Sequence, residues 1–217
     1  ELEPNFPETH CNRARSFASL RRYDEAIVAY DRALKLRPDL AEAWLGRGGV
    51  CNALRRYAEA LAAYERALAL KPNFSDAWVG RGNTYKDLAR YDEAASCYNK
   101  AKQLQPDLAD AWVGNGNVYA ALQQYEHALH SYNKAIDLQS NLAEAWLGCG
   151  NVFKALRRYS EALDAYDKAI AHKADLGEAW LGRGALLIDL RRYEEALLAF
   201  DRALTIDPDF PGAEGAR

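Results

Sequence analysis

Methionine is absent from the 217 residues, and the chain's other scarcities exclude whole classes of function. No apolar run approaches the roughly 20 residues that carry a helix across a bilayer, and no leader pattern opens the chain, so the sequence reads as soluble, with no membrane partner. Neither sign of charge is in excess. The 28 basic and 31 acidic residues leave a net charge of -3, which supplies no basic field for nucleic acid. Cysteine is limited to Cys11, Cys51, Cys97 and Cys149, with no C-x-x-C pair among them. Thiols scattered in this way read as free and reduced, which points to the cytoplasm. Enzyme signatures are missing too: there is no G-x-x-x-x-G-K-[ST], no H-E-x-x-H, and no G-x-S-x-G in a strand-turn-helix context. His127 and His130 are three apart but have no carboxylate pair or cysteine cluster beside them. No catalytic residue, cofactor or metal site is therefore expected.

What is present is a period. Trp44, Trp78, Trp112, Trp146 and Trp180 stand 34 residues apart, and Tyr23, Tyr57, Tyr91, Tyr125, Tyr159 and Tyr193 keep the same step. So do Ala26 and Ala33 with their counterparts, the second preceded by an aromatic residue from Tyr30 to Phe200. Six complete repeats follow, at 7-40, 41-74, 75-108, 109-142, 143-176 and 177-210. Residues 1-6, E-L-E-P-N-F, match the end of a repeat, and 211-217 enter another, so the chain is expected to be a piece of a longer protein. Leu197, Leu204 and Ile206 are then expected to lie exposed on an uncovered last helix and to drive end-to-end self-association.

Within a repeat the apolar residues step by three and four, which predicts two amphipathic helices and an all-α chain. In the second repeat, helix A is expected from about Ala41 to Leu54 and helix B from about Ala58 to Leu70, with the turn at Arg55-Arg56. Proline ends helix B at Pro38, Pro72, Pro106 and Pro208. Where Ser140 and Ala174 replace it, looser turns are expected. Asp39-x-x-Glu42 and its counterparts resemble capping boxes at the start of helix A. Arginines such as Arg55-Arg56 and Arg191-Arg192 suit helix C-termini or an edge that docks an acidic partner.

The run W-L-G-x-G, then Tyr, then A-x-x-x-Y-x-x-A and Pro on this period resembles the tetratricopeptide repeat across essentially the entire chain. The resemblance implies a right-handed superhelix (solenoid) of six helical hairpins with helix A lining a concave groove, and a scaffold that binds protein or peptide. More distantly, the A-W-L-G-R-G-N style looks like the repeat arms of bacterial SPINDLY-like and O-GlcNAc-transferase-like proteins, whose catalytic domain is not in these residues. That likeness implies a substrate-recognition arm of a protein glycosyltransferase as the alternative role.

The groove wall is expected from the second, fifth, sixth, ninth, twelfth and thirteenth residues of each repeat. Lysine is lacking at the fifth and the second is acidic, unlike repeat domains that clamp a chaperone tail. The sixth residue is Gly46, Gly80, Gly114, Gly148 and Gly182, and the eighth is glycine as well. Glycine inside a helix costs about 1 kcal/mol relative to alanine. The sixth row thus reads either as a low wall admitting a ligand backbone or as closer packing of successive A helices. At the ninth stand Asn83, Asn117 and Asn151, with Lys86 and Lys154 nearby at the twelfth. Asparagine amides can pair with an extended peptide backbone. In the glycosyltransferase family the asparagine ladder falls where this chain has its glycine row, three residues earlier.

Arginine in the seventh position interrupts the apolar face of helix A. Arg47, Arg81 and Arg183 are expected to pair across repeat junctions with Asp31, Glu65 and Asp167 at the twenty-fifth position. Asn115 and Cys149 replace arginine in the other two.

Overall fold

Each period folds as a helical hairpin. The computed structural model describes residues 6–207 and contains twelve helices and no strand within them. Two compact units are formed, the first ending at Pro106 and the second beginning at Asp107. The first holds α1 (Pro7–Ser19), α2 (Tyr23–Leu36), α3 (Ala41–Ala53), α4 (Tyr57–Leu70), α5 (Ser75–Asp87) and α6 (Tyr91–Leu104). The second holds α7 (Ala109–Ala121), α8 (Tyr125–Leu138), α9 (Ala143–Ala155), α10 (Tyr159–His172), α11 (Gly177–Asp189) and α12 (Tyr193–Ile206). Odd-numbered helices are the A helices and even-numbered ones the B helices. The terminal segments 1-6 and 211-217, together with Pro208, lie wholly or mainly outside the described residues.

The recurring alanines explain the close crossing of A on B. Ala26, Ala33, Ala60, Ala67, Ala128, Ala135, Ala162 and Ala169 are all fully buried, so only a methyl group separates the backbones there. Every A helix ends in the same way. Arg21, Arg55, Ala89, Gln123, Arg157 and Arg191 take positive φ between 56 and 59. In the second repeat the Arg55 amide donates to the Asn52 carbonyl and the Arg56 amide to Cys51, closing a Schellman motif. A side chain at positive φ is normally unfavourable, so glycine is the usual marker of such a turn, and none of these six residues is glycine. The arginine that follows the turn residue is neutralised locally. Arg56 clasps Glu59 at 2.6 and 2.7 Å, Arg192 clasps Glu195 at the same distances, and Arg22, Arg90 and Arg158 grip Glu25, Glu93 and Glu161.

The expected capping boxes are not formed. The N-cap residues are Leu40, Phe74, Leu108, Leu142 and Leu176, and none makes a side-chain cap hydrogen bond. Apolar contact wins at that position: Phe74 is buried, and Leu40, Leu142 and Leu176 pack against the core. Asp39 and its counterparts are left one residue too early to cap. Three of the acids at the second position instead pair with a base at the far end of the same hairpin: Glu8 with Arg37 at 2.7 Å, Glu42 with Lys71 at 3.7 Å and Glu144 with Lys173 at 3.0 Å.

Tryptophan pins the turn between repeats. Trp44 Nε1 donates to the Pro38 carbonyl at 2.9 Å, Trp78 to Pro72 at 3.1 Å, Trp146 to Ser140 at 3.2 Å and Trp180 to Ala174 at 2.9 Å. Trp112, half-buried, packs beside Ala109 and Val113 in the second unit. Because the acceptor is a carbonyl, the bond survives loss of proline. The backbone before Ser140 (φ -144, ψ 93) and before Ala174 (φ -146, ψ 89) also matches that before Pro38 (φ -140, ψ 89). Ser140→Pro and Ala174→Pro should therefore each stabilise the protein by about 0.4–1 kcal/mol, by restricting the unfolded chain. Thermal melts check this, and a lower melting temperature in either variant contradicts it.

Two of the three junction ion pairs are present. Arg47 Nε donates to Asp31 Oδ1 at 2.8 Å and Arg183 Nε to Asp167 Oδ1 at 2.7 Å, the arginine side chains being about one-fifth exposed. Arg81 does not reach Glu65. Its Nη2 turns along its own helix to the Tyr85 hydroxyl at 3.1 Å, its guanidinium lies near the Trp78 and Tyr85 rings, and its buried Nε has no hydrogen-bond partner. The physical reason is the residue one turn on. Tyr85 offers an oxygen and a ring face where Arg47 has Cys51 and Arg183 has Leu187.

Candidate functional site

In each unit the A helices of successive repeats touch, α1 with α3 and α3 with α5, then α7 with α9 and α9 with α11. Among the described residues the B helices make no comparable contact, so the A-helix face is the inner side of each unit's stack.

The aromatic residue of the B helix shapes that face. Tyr64, Tyr132 and Tyr166 are each almost fully buried, with the ring inserted between the A helix of its own repeat and that of the next. A Cβ built on Gly48 would come within 2.8 Å of the Tyr64 ring, and one on Gly80 within 2.5 Å. In the second unit Gly116 and Gly148 face Tyr132 at 2.5 and 2.4 Å, and Gly150 and Gly182 face Tyr166 at 2.7 and 2.6 Å. Both glycine rows thus make room for one tyrosine row. This corrects the reading of Gly80 and Gly148 as a low wall open to a ligand, and the packing they permit is against the preceding tyrosine. Gly114 is buried as well.

The tyrosines extend past the glycines to the ninth-position asparagines. Tyr98 Oη donates to Asn83 Oδ1 at 2.7 Å, Tyr132 to Asn117 at 2.7 Å and Tyr166 to Asn151 at 2.8 Å. Burial pushes the pKa of all three phenols well above its ordinary value, so each remains a donor throughout the neutral range. Since the Oδ1 is the acceptor, the amide orientation is set and Nδ2 is left as the outward donor. Asn83 and Asn151 are exposed and Asn117 half-buried. The same helix pair lacks both partners in the sixth repeat, where Phe200 faces Ala185.

The lysines are less available than the sequence suggests. Lys86 Nζ sits 3.1 Å from Asp87 Oδ1, and Lys154 Nζ 3.9 Å from Asp189 Oδ2. Asp87 also accepts from Asn52 Nδ2 at 3.0 Å, which leaves Asn52 Oδ1 buried without a donor. Of the apolar residues at the fifth position, Val79 and Leu147 are buried, while Leu45, Val113 and Leu181 are half-buried. A cleft of about 490 Å³ opens on the first unit beside Leu45, Tyr30 and Phe74, rimmed by Glu42, Asp76 and Arg15.

The cysteines sit in packed surroundings, and His127 and His130 lie against aromatic rings. All four cysteines are buried and unbridged, and burial raises their thiol pKa values, Cys97 to about 11 and Cys149 to about 12. His127 tilts over the Tyr119 ring at 5.4 Å between centroids, and His130 meets the edge of Trp112 at 6.3 Å. His10, buried, occupies the tryptophan position of the first repeat. No described helix is long and apolar enough to cross a membrane.

Family profiles of the tetratricopeptide repeat match residues 11–75, 75–108 and 147–211, and a TPR repeat profile matches 116–157. The chain belongs to the tetratricopeptide repeat family. Curated protein sequences give no match. Among solved structures, the APC/C hetero-tetramer Cut9-Hcn1 is similar with a TM-score of 0.90 and 16% identity, covering 99% of this chain and 43% of that one. This chain thus spans less than half of that protein. TTC0263, a thermophilic TPR protein in Thermus thermophilus, gives a TM-score of 0.77 at 22% identity over 84% and 99% of the two chains. Both share the fold. YrrB, described as a TPR protein with an unusual peptide-binding site, is 26% identical with a TM-score of 0.55, over 87% and 97%. Tetratricopeptide repeats are in general non-catalytic scaffolds for protein-protein interaction, and the fold suits this chain to that role.

In this repeat protein the spacing singles out the ninth-position asparagines as candidates but not the tyrosines that hydrogen-bond to them. The aromatic row is only a partial signal: it is tyrosine in the three repeats with asparagine and phenylalanine in the last, which has none, but it is also tyrosine in the first two, where Arg15 and Gly49 stand at the ninth position.

Proposed function

We propose that the chain binds an extended peptide or protein segment along the A-helix faces of its units, using Asn83 on the first and Asn117 and Asn151 on the second. The observation that carries this is the tyrosine-to-asparagine hydrogen bond made three times, at 2.7, 2.7 and 2.8 Å. It leaves amide donors fixed in direction, and fixed donors lose less entropy on meeting a backbone carbonyl. A peptide's alternate side chains lie near the half-buried Leu45, Val113 and Leu181, while Lys86 and Lys154, each beside an aspartate, contribute polar contact rather than net charge. YrrB's peptide-binding site supports a peptide as the class of partner. Buried, unbridged thiols fit a reducing, cytoplasmic setting.

The test is affinity for peptides selected on the wild-type protein from a random-sequence display library. Replacing Asn83, Asn117 and Asn151 together with alanine should weaken binding by at least about tenfold, at roughly 0.5–1.5 kcal/mol for each hydrogen bond. Undiminished affinity in a variant that still folds removes the asparagines from the site.

A further inference from the structure

Tyrosine at the twenty-fourth position of a repeat is wedged against glycine each time, but not every hydroxyl is matched. Tyr98, Tyr132 and Tyr166 donate to the asparagine at the ninth position of their own repeat. Tyr30 and Tyr64 are as deeply buried, 2% and 3% exposed, and neither hydroxyl has a hydrogen-bond partner among the described residues. The ninth residues there are Arg15, whose side chain has donors alone, and Gly49, which has no side chain. A buried donor without an acceptor is costly and uncommon. Tyr64 has an open way out. Its ring is clamped between Gly48 and Gly80, as that of Tyr132 is between Gly116 and Gly148, so its hydroxyl is directed at the ninth position in the same manner. Gly49 is exposed there. Beyond the neighbouring backbone of α3, the Tyr64 hydroxyl is the sole described atom within 4 Å of a Cβ built on Gly49, at 3.9 Å. The room that the Asn83 side chain takes on α5 thus stays free on α3, and the two helices touch along the inner face of the first unit.

We infer that Tyr64 contacts the bound peptide directly, its hydroxyl donating through the opening at Gly49 to a main-chain carbonyl of the segment that Asn83 holds one repeat on. The inference rests on the peptide-binding reading above and extends it to a tyrosine that has no asparagine in front of it. A clamped ring fixes the direction of its hydroxyl, so little entropy is lost when an acceptor arrives. A neutral carbonyl suits the place better than a carboxylate. Burial first, then Cys51 and Asp87, raise the phenol's pKa, and the same Asp87 charge on α5 opposes a second carboxylate beside it.

Tyr64→Phe in the full 217-residue chain tests this, with peptides selected on the wild type from a random-sequence display library. Those that Asn83→Ala weakens lie on the first unit and serve as the probe. Tyr64→Phe should bind them about three- to tenfold more weakly, the worth of one hydrogen bond. Its urea midpoint should stay at or above that of wild type, since the free protein loses no hydrogen bond. Tyr132→Phe does lose one, and its midpoint should fall. Replacing the peptide's carbonyls one at a time by alkene isosteres should find one position that weakens binding to wild type by the same factor and binding to Tyr64→Phe not at all. Asn83-dependent peptides that Tyr64→Phe binds as tightly as wild type overturn the inference and leave the asparagine reading standing. Selected peptides indifferent to Asn83 overturn that reading on the first unit, and the inference with it. A Tyr64→Phe midpoint lowered as far as that of Tyr132→Phe gives the hydroxyl a partner in the free protein and also overturns it. Coupling to a peptide side chain in place of a carbonyl overturns the assigned acceptor.

Discussion

Tyr132→Ala should lower the unfolding free energy by about 3–5 kcal/mol, the range for removing a large buried aromatic side chain. The ring is 2% exposed and sits in van der Waals contact with the backbones of α7 and α9 through Gly116 and Gly148. Its removal leaves a void that the two A helices cannot close without losing their own contacts, since α7 and α9 already touch. The hydroxyl contributes separately. Tyr132→Phe keeps the ring and removes only the donor to Asn117, so its cost should be near 1 kcal/mol, roughly that of one hydrogen bond. Urea unfolding of the two variants separates packing from hydrogen bonding, and an alanine variant less than about 1 kcal/mol below wild type contradicts the wedge.

The second large effect has the opposite chemistry, since it adds atoms to the same place. Gly148→Val should destabilise by about 1–3 kcal/mol through overpacking. Its Cβ alone would lie 2.4 Å from the Tyr132 ring, and that ring, 2% exposed and packed against both α7 and α9, has little room to retreat. Gly49→Ala is the contrasting case. The nearest atom to a Cβ at Gly49 is the Tyr64 hydroxyl at 3.9 Å, an ordinary contact, so the change should add about 1 kcal/mol of helix stability. Two glycines of one sequence style therefore respond with opposite signs. Equal responses would mean that the tyrosine does not distinguish them.

Much of the fold is legible in the period. The step of 34 residues, with alanine, tryptophan and proline in fixed places, locates helix A of the second repeat at Ala41 and its end within one residue of the observed Ala53. Helix B begins at Tyr57, one residue before the expected start. What escapes sequence reasoning is geometry that the residue types do not advertise. The left-handed turn at Arg55 lacks glycine, and Leu40 takes the N-cap because its burial outweighs a polar cap that Asp39 is misplaced to give. Arg47 and Arg183 pair as charge complementarity predicts, because the residue one turn on, Cys51 or Leu187, offers at most a weak sulfur acceptor. Arg81 departs because Tyr85 does compete.

The site divides in the same manner. Asn83, Asn117 and Asn151 can be chosen from spacing alone, since the ninth position of each repeat falls on the inner face of helix A. Gly80 and Gly148 mislead, because a glycine row is equally the mark of a ligand's approach and of a neighbour's ring. Only the partner's position, 16 residues before each sixth-position glycine, decides between them. Lys86 and Lys154 likewise look like free cations until Asp87 and Asp189 are placed beside them.

The central claim is that tyrosine hydroxyls hold the asparagine amides ready for a peptide, and Tyr98, Tyr132 and Tyr166 replaced together by phenylalanine test it most directly. Phenylalanine already fills this position at Phe200 without disturbing the hairpin. The triple variant should keep its helical content yet bind the library-selected peptides roughly fivefold or more weakly, as freed amides lose their fixed direction. Binding as tight as that of the wild type, in a folded triple variant, would contradict the account.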